Sequence, residues 1–119
     1  MGFCRFEDLQ VFQIAEELAD EVWGVVKSWT NFDKSTVGKQ LVRASDSIGA
    51  NIAEGTGRGT HRDNKRFVRI ARASLHETRF WLRRAYCRKL ISKNQADTLK
   101  AILDELAPML NAYLNSIGS

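Results

Sequence analysis

Apolar residues recur at three- and four-residue intervals along most of the chain, which is the spacing of amphipathic helices. Four segments carry the pattern, over about residues 7–28, 35–57, 60–90 and 92–116. Pro108 falls within the fourth segment and predicts a kink there. Short connections between consecutive helices favour up-down-up-down packing. The pattern therefore predicts an all-α fold, an antiparallel four-helix bundle that forms a single domain over residues 1–119.

Residues that can cap helices precede the last three segments. Ser35 is a reasonable N-cap for the second helix. Thr60 and Asp63 have the spacing of a capping box for the third helix, and Ser92 and Gln95 repeat it for the fourth. The second helix is expected to end in a left-handed glycine cap, supplied by the cluster Gly55, Gly57 and Gly59.

The second helix carries three stripes where an ordinary amphipathic helix carries one. Its apolar seam consists of Val37, Leu41, Ala44, Ile48 and Ile52. Beside it runs a polar seam of Gln40, Arg43, Ser47, Asn51, Glu54 and Arg58. A flank of small residues, which would let another backbone approach closely, consists of Ser45, Gly49, Ala53 and Gly57. The second helix is therefore expected to contact neighbours on several sides.

The polar seam has two interpretations. In the first it is a ligand or catalytic site, with Arg43 and Glu54 as a charged pair and Asn51 between them. In the second it is structural: an inward asparagine fixes helix register, because any slip leaves its amide unpaired in an apolar layer. Inward polar residues in bundles more often specify packing, so the structural interpretation is favoured. It predicts that Asn51 lies between helices and hydrogen-bonds to Ser47, Glu54 or the third helix.

The third helix is strongly basic on its outer face. Residues 58–89 contain eleven Lys and Arg against two acidic residues, in a chain whose net charge is only +4. The outer face reads Arg62, Lys65, Arg66, Arg69, Arg72, His76, Arg79, Arg83 and Arg84, with Phe80 and Cys87 within it. The predicted core face of the same helix reads Phe67, Ile70, Ala71, Ser74, Leu75, Thr78, Trp81, Leu82 and Ala85.

Three explanations of the basic face remain open. Arginine-rich faces neutralise phosphates, and Phe80 could stack on a base, which predicts binding of nucleic acid, RNA above all. The face could instead meet the acidic side of the first helix in a neighbouring subunit, formed by Glu16, Glu17, Asp20 and Glu21. It could also be simply solvated. Nucleic-acid binding is favoured, because like charges repel along a helix unless something acidic meets them.

Self-association is a second prediction. The first helix has a small apolar flank outside its core stripe, formed by Leu9, Phe12 and Trp23. Together with the small-residue flank of the second helix, it leaves more contact surface than a monomer needs. The periodicity predicts an oligomer without choosing its number of subunits.

Other function classes lack support in the sequence. His61 and His76 have no partner at the spacing of a helical metal site, and no Ser or Cys nucleophile has an adjacent His base. We therefore expect no metal, no cofactor and no enzyme activity. No apolar run approaches the ~20 residues that span a bilayer, and the amino terminus lacks the apolar core of a leader peptide. The prediction is a cytoplasmic protein without membrane contact, in which Cys4 and Cys87 stay reduced.

Three stretches resemble a known family. They are Phe6-Glu7-Asp8-Leu9, then Arg43-Ala44-Ser45-x-Ser47-Ile48-x-x-Asn51-Ile52-Ala53-Glu54-Gly55-x-x-Arg58, and Phe67-Val68-x-Ile70-Ala71-x-Ala73-Ser74-Leu75-x-Glu77. They are similar to bacterial four-helix-bundle proteins named for open reading frames in 23S rRNA intervening sequences. The chain departs from the family pattern where Ala73 replaces the usual Gly and where Asn64-Lys65 replaces a common Glu-Phe.

The stretch Arg79-Phe80-Trp81-Leu82-Arg83 also resembles the accessory variability proteins of diversity-generating retroelements, which share the fold. The resemblance implies a homopentameric barrel of four-helix bundles without enzyme activity. The retroelement relatives bind nucleic acid and a reverse transcriptase, so it also implies a polymerase as a possible kind of protein partner. The competing hypothesis is a structural or protein-recruiting scaffold, whose basic face serves subunit or partner contacts.

Overall fold

Four long helices make up most of the protein. The computed structural model describes residues 5–119 and contains α1 (Gln10–Val26), α2 (Lys39–Thr56), α3 (His61–Cys87) and α4 (Lys93–Ser116). A 3-10 turn, Phe6–Asp8, precedes α1. The predicted all-α, four-helix fold is confirmed. Cys87 is an exposed free thiol, whereas Cys4 lies outside the described residues, as does the start of the segment used for the leader-peptide prediction.

The helices surround one core, and each contacts the next in the chain. Pairs of residues across the α2–α3 contact run in opposite sequence directions, since Ser47 meets Ser74 and Arg43 meets Glu77. The same holds for α3 and α4, where Arg79 meets Asp104 and Arg72 meets Asn111. Because α1 packs on both α2 and α4, it lies diagonally opposite α3. The bundle measures 47 × 23 × 21 Å.

The core contains the whole predicted apolar seam of the second helical stretch but departs from the predicted core face of α3. Leu18, Leu41 and Leu103 have no exposed surface and join the helices across the centre. The prediction that Ile70 lies in the core is wrong, because 39% of its surface is exposed. Val68, which was not predicted, is fully buried in its place. Ile70 stands one heptad before Glu77, which is itself only partly buried.

The second helical stretch begins earlier than predicted. Thr30 caps it by accepting a 3.3 Å hydrogen bond from the backbone N–H of Asp33. A helical turn, Asn31–Asp33, and a π-helical segment, Lys34–Gly38, then lead directly into α2. The prediction that Ser35 is the N-cap is wrong, since its hydroxyl lies inside the helical stretch and donates to the carbonyl of Phe32.

Gly38 sits where this π-helical segment joins α2 and lets it approach the end of α1. A Cβ at this position would lie 2.7 Å from Cγ1 of Val26 and 3.1 Å from the carbonyl oxygen of Asp33. Any side chain here would push the two helices apart. The close approach therefore depends on the absence of a side chain.

Side-chain caps form at the starts of α3 and α4, whereas the end of α2 differs from its prediction. Ser92 and Gln95 form the complete capping box of α4, with hydrogen bonds of 3.1 and 2.9 Å. Thr60 accepts from the N–H of Asp63 at 3.1 Å, which is one half of the capping box predicted for α3; the Asp63 carboxylate lies instead beside Arg66. The predicted left-handed cap of α2 is wrong, because Gly57 follows α2 with a right-handed φ of −85°. Gly55 lies inside α2 and is buried.

A left-handed residue does end α3, and it is a lysine. Lys89 has a φ of 62°. Its N–H donates to the carbonyl of Tyr86 at 3.0 Å, and the N–H of Leu90 donates to that of Ala85 at 2.9 Å. These two bonds are the pair that defines a Schellman motif. Glycine normally occupies this position, because it has no Cβ to strain the backbone.

Lys89→Gly is therefore expected to stabilise the protein. A non-glycine residue in the left-handed region strains the folded state by about 1 kcal/mol, and glycine removes this strain. Glycine also makes the unfolded chain more flexible, which offsets part of the gain. We expect the free energy of unfolding in urea to rise by about 0.5–1 kcal/mol. Lys93→Gly, inside the first turn of α4, is the control and should lower stability. A loss of stability in Lys89→Gly would show that its side chain, not its backbone, matters.

The two flanks assigned to subunit contacts behave differently from their prediction. Ser45 and Gly49 are buried within the protomer, with the ring of Phe12 3.4 Å from the position of a Gly49 Cβ. Ser45 and Gly49 therefore serve the α1–α2 contact within the protomer, whereas Ala53 is half-buried and Gly57 is exposed. Phe12 also packs edge-on against Phe6. Trp23 remains 60% exposed and keeps the apolar flank of α1 partly open.

Candidate nucleic-acid interface

The basic residues of α3 divide into rows set by the heptad spacing of the helix. Arg62, Arg69, His76 and Arg83 follow one another at seven-residue intervals, and all four are exposed. Seven residues advance a helix by about 10 Å, so the row extends over about 30 Å. Within residues 5–119 no acidic side chain forms an ion pair with its three arginines. We call these four residues the exposed row.

A second row lies against α4 and has a packing role. It consists of Lys65, Arg72, Arg79 and Tyr86. Arg79 forms an ion pair of 3.0 Å with Asp104, and Arg72 donates to the amide oxygen of Asn111 at 3.3 Å. Hydrogen bonds from Lys100 and then from Arg79 lower the pKa of Asp104 below its ordinary value. Arg72 and Arg79, two of the predicted phosphate ligands, therefore have partners on α4.

The remaining predicted ligands differ in how free they are. Arg66 lies 3.7 Å from the carboxylate of Asp63 and stacks on the ring of Phe67, with 4.5 Å from its guanidinium carbon to the ring centroid. Arg58 stacks on the same ring at 4.6 Å. Arg84 and Lys65 are half-buried. The exposed row is thus the part of the predicted basic face that is exposed and has no side-chain partner among the described residues.

Phe80, predicted to stack on a base, lies next to the α2–α3 contact. Its ring packs edge-on against Trp81, with centroids 4.9 Å apart, and 53% of its surface is exposed. The indole N–H of Trp81 donates to Glu77 at 3.2 Å, and Glu77 forms a 3.3 Å ion pair with Arg43. Phe80 therefore has a neighbouring ring and leaves about half of its surface available to a ligand.

The polar seam of α2 forms separate small groups. Asn51 donates to the carbonyl and the hydroxyl of Ser47, at 2.8 and 2.9 Å. The Ser47 hydroxyl lies 2.9 Å from that of Ser74 on α3. Arg43 and Glu54 do not pair with each other, because Arg43 contacts Gln40 and Glu77 while Glu54 pairs with Arg58 at 3.0 Å.

This arrangement favours the structural interpretation of the seam. The Asn51–Ser47–Ser74 chain crosses from α2 to α3 beside the core, and Ser74 is 8% exposed. The charged residues of the seam are divided between two ion pairs, so the charged site around Asn51 that the ligand interpretation requires is not assembled in the protomer. The hydrogen bonds of the Asn51–Ser47–Ser74 chain are better suited to fixing the register of α2 against α3.

Asn51→Leu tests that role. It removes the amide and leaves Ser47 and Ser74 with only each other, at a cost of about 1–3 kcal/mol, partly offset by apolar filling. We expect native mass spectrometry to show mixed species or loss of a unique assembly while helicity stays near normal. A single sharp species that has lost RNA binding would instead make Asn51 a ligand-binding residue.

Opposite charges face opposite sides of the bundle. The acidic side chains Glu16, Glu17 and Asp20 are exposed on α1, which lies diagonally across from α3. Burial, with a further contribution from Asp20, raises the pKa of Asp46 on the adjoining part of α2. The acidic face of α1 therefore cannot neutralise the exposed row of the same protomer.

No group of three or more potential metal ligands comes together within residues 5–119. In that same part of the chain no helix is both long and apolar enough to cross a membrane. The basic face of α3 therefore remains the candidate site in the described part of the chain.

Comparison with known proteins connects this fold to a family. The profile of the 23S rRNA-intervening sequence protein family matches residues 7–112. The chain belongs to the 23S rRNA-intervening sequence protein family. The family match includes α1 to α3 in full and most of α4, so it contains every residue of the exposed row.

A solved structure supports the membership. This family member resembles a protein of unknown function from the S23 ribosomal protein family of Bacteroides thetaiotaomicron, with a TM-score of 0.82 and 25% sequence identity. The match covers 89% of this chain and 96% of the other. No curated protein sequence matches the chain significantly. The comparisons thus identify family and fold, and the function must be argued from the site.

Proposed function

We propose that this member of the 23S rRNA-intervening sequence protein family is a non-enzymatic RNA-binding protein that assembles into a ring of identical chains. The observation that carries the proposal is the exposed row. Three arginines at heptad spacing, without ion-pair partners among the described residues, present their charge to one side of a straight helix. Arginine is well suited to this task, because its planar fork of donors binds phosphate oxygens bidentately.

The diagonal separation of charge supports the same proposal. A polyanion on the α3 side lies away from the acidic face of α1, across a bundle about as thick as its 21 and 23 Å short axes. Phe80 adds an aromatic surface beside the basic residues, and base stacking on such surfaces tolerates any sequence. Binding should therefore depend mainly on phosphate charge and only weakly on base identity.

A filter-binding titration of the protein against a structured RNA, repeated over a salt series, tests the proposal. Each neutralised phosphate contributes a slope of about −0.7 to −0.9 to the plot of log K against log salt concentration. Three or more contacts should give a slope steeper than about −2. Failure to bind RNA at low salt would overturn the proposal.

A specific observation also favours the scaffold alternative. Acidic and basic faces on opposite sides of one chain can join head to tail, and such heterologous contacts close into rings. Exposed apolar residues, Trp23 at 60% and Phe32 at 74%, could add to that contact. In this alternative the basic face is occupied by a neighbouring subunit or a protein partner such as a polymerase.

Light scattering at micromolar concentration tests the ring itself. The family resemblance implies five chains, so we expect about five times the chain mass of 13.5 kDa. A stable monomer would refute the assembly while leaving RNA binding to be judged by the titration. A ring that ignores RNA would favour the scaffold.

A further inference from the structure

A basic cleft with an aromatic wall opens where the end of α3 meets the start of α4. Its volume is about 400 Å³, within the range of small-ligand sites. Leu82 and Ala96 contribute apolar surface to it. Its charged and aromatic lining consists of Arg79, Arg83, Tyr86, Lys93, Asp97 and Lys100.

The cleft has more positive than negative charge. Four of its lining residues are cationic and one, Asp97, is acidic. Lys93 pairs with Asp97 at 2.9 Å, and Lys100 pairs with Asp104 at 2.7 Å. An ammonium group has three donors, so each lysine can keep its carboxylate and still donate to a phosphate oxygen. The cleft also adjoins the first turn of α4, whose helix dipole favours negative charge there.

Tyr86 gives the cleft a surface for a planar ring. It continues the heptad row that runs from Lys65 through Arg72 and Arg79, so it faces α4 at the level of the cleft. Its side chain is nevertheless 48% exposed. An aromatic ring beside cationic groups in a half-open cleft is the combination that binds an unstacked base and its phosphate.

Arg83 connects this cleft to the exposed row. It is the last member of that row and also lines the cleft. A strand that lay along Arg62, Arg69 and His76 would reach the cleft at its end. Base-paired nucleotides could not enter, because their ring faces are already stacked within the helix. The two sites therefore form one continuous path only for a strand with an unpaired nucleotide.

We infer that this cleft binds an unpaired nucleotide of a single-stranded RNA segment, with its base on Tyr86 and its phosphate between Arg83, Lys93 and Lys100. The inference rests on the proposed RNA-binding function and deepens it, because it names single-stranded RNA as the class of ligand.

Two RNA probes test it: a single-stranded ten-nucleotide RNA and a blunt duplex of the same sequence, titrated by fluorescence anisotropy. Tyr86→Ala should weaken binding of the single strand about tenfold and leave binding of the duplex within about twofold. Tyr86→Phe keeps the ring and should bind like the unaltered protein. Phe32→Ala removes another exposed aromatic residue, outside the cleft, and should also have no effect.

The outcomes separate the cleft from the proposed function. If the unaltered protein binds the single strand but Tyr86→Ala binds it equally well, the cleft is not the nucleotide site, and RNA binding through the exposed row stands. Equal weakening toward strand and duplex also overturns the inference. If the unaltered protein binds neither RNA, both proposals fail together, which is the result expected if an acidic protein segment occupies the cleft.

An RNA carrying 5-iodouridine should photocrosslink to Tyr86; crosslinks confined to other residues would contradict the inference.

Discussion

Replacing Arg62, Arg69 and Arg83 together by glutamate is expected to abolish RNA binding. Each arginine lost removes a phosphate contact, and each glutamate gained repels the strand. Each lost phosphate contact makes the plot of log K against log salt concentration shallower by about 0.7–0.9, so the slope should become shallower by about two to three. At low salt the affinity should drop by at least about 100-fold, since reversal adds repulsion to the lost contacts. Filter binding over the same salt series measures both quantities.

A second triple variant is the matched control. Lys27, Lys34 and Lys39 are exposed near the junction of α1 and α2 and belong to neither the exposed row nor the cleft. Glutamate at these three positions changes the net charge by the same six units. If binding depends on the exposed row, this variant should keep most of its affinity. Equal loss in both variants would show that overall charge alone controls binding. No loss in either would favour the scaffold alternative.

Gly55→Ala is expected to destabilise the protein markedly, although it adds only one methyl group. Gly55 lies inside α2 at the extensive contact with α3. An added Cβ would collide with Oδ1 of Asn64 and would lie 3.1 Å from the backbone oxygen of Asn64 and 3.2 Å from Cβ of Phe67. Overpacking of this kind costs about 1–3 kcal/mol. Urea unfolding followed by circular dichroism measures the change.

Gly24→Ala is the control for this substitution. Gly24 is exposed inside α1, and nothing lies within 4 Å of the position of its Cβ. Alanine there should stabilise the protein by about 0.5–1 kcal/mol, because it restricts the unfolded chain and favours the helix. The two variants therefore carry the same chemical change with opposite expected signs. An unchanged stability in Gly55→Ala would mean that α3 moves away at little cost.

Asn64 has an unusual environment at this contact. Its Oδ1 is buried and has no hydrogen-bond partner among the described residues. The atom lies close to where a Cβ of Gly55 would be, so a Cα–H of Gly55 points toward it and can act as a weak donor. In a double variant, Asn64→Ala should therefore recover part of the stability lost in Gly55→Ala, although the backbone contacts remain.

Much of the fold could be predicted because helical periodicity and capping residues act locally. The capping box of Ser92 and Gln95 and the cap at Thr60 need only neighbouring residues to form. The start of the second helical stretch was missed although Thr30 and Asp33 have the same spacing as Thr60 and Asp63. The helical turn capped by Thr30 continues into a π-helical segment, whereas the one capped by Thr60 continues into a regular α-helix. Helical periodicity does not predict a π-helical segment.

The division of the basic face could not be predicted from the sequence. A helical wheel shows which residues of α3 point away from its own apolar stripe, but it does not show where the edge of α4 lies. That edge decides that Arg79 pairs with Asp104 while Arg83 stays exposed. For the same reason the helical wheel places Ile70 in the core, whereas the structure buries Val68. Positions on the border of a helix face are settled by neighbouring helices.

The diagonal placement of α1 and α3 gives the protomer an electric dipole across its short axis. Its thickness of 21–23 Å exceeds the Debye length of about 8 Å at 0.15 M salt. Under those conditions the two faces act as electrically independent surfaces, and a polyanion near α3 experiences little of the acidic face. At 0.01 M salt the Debye length grows to about 30 Å and spans the whole bundle. The dipole then orients the protein so that its basic face meets the RNA first. At the same time the acidic face begins to weaken the attraction. The plot of log K against log salt concentration should therefore curve at low salt.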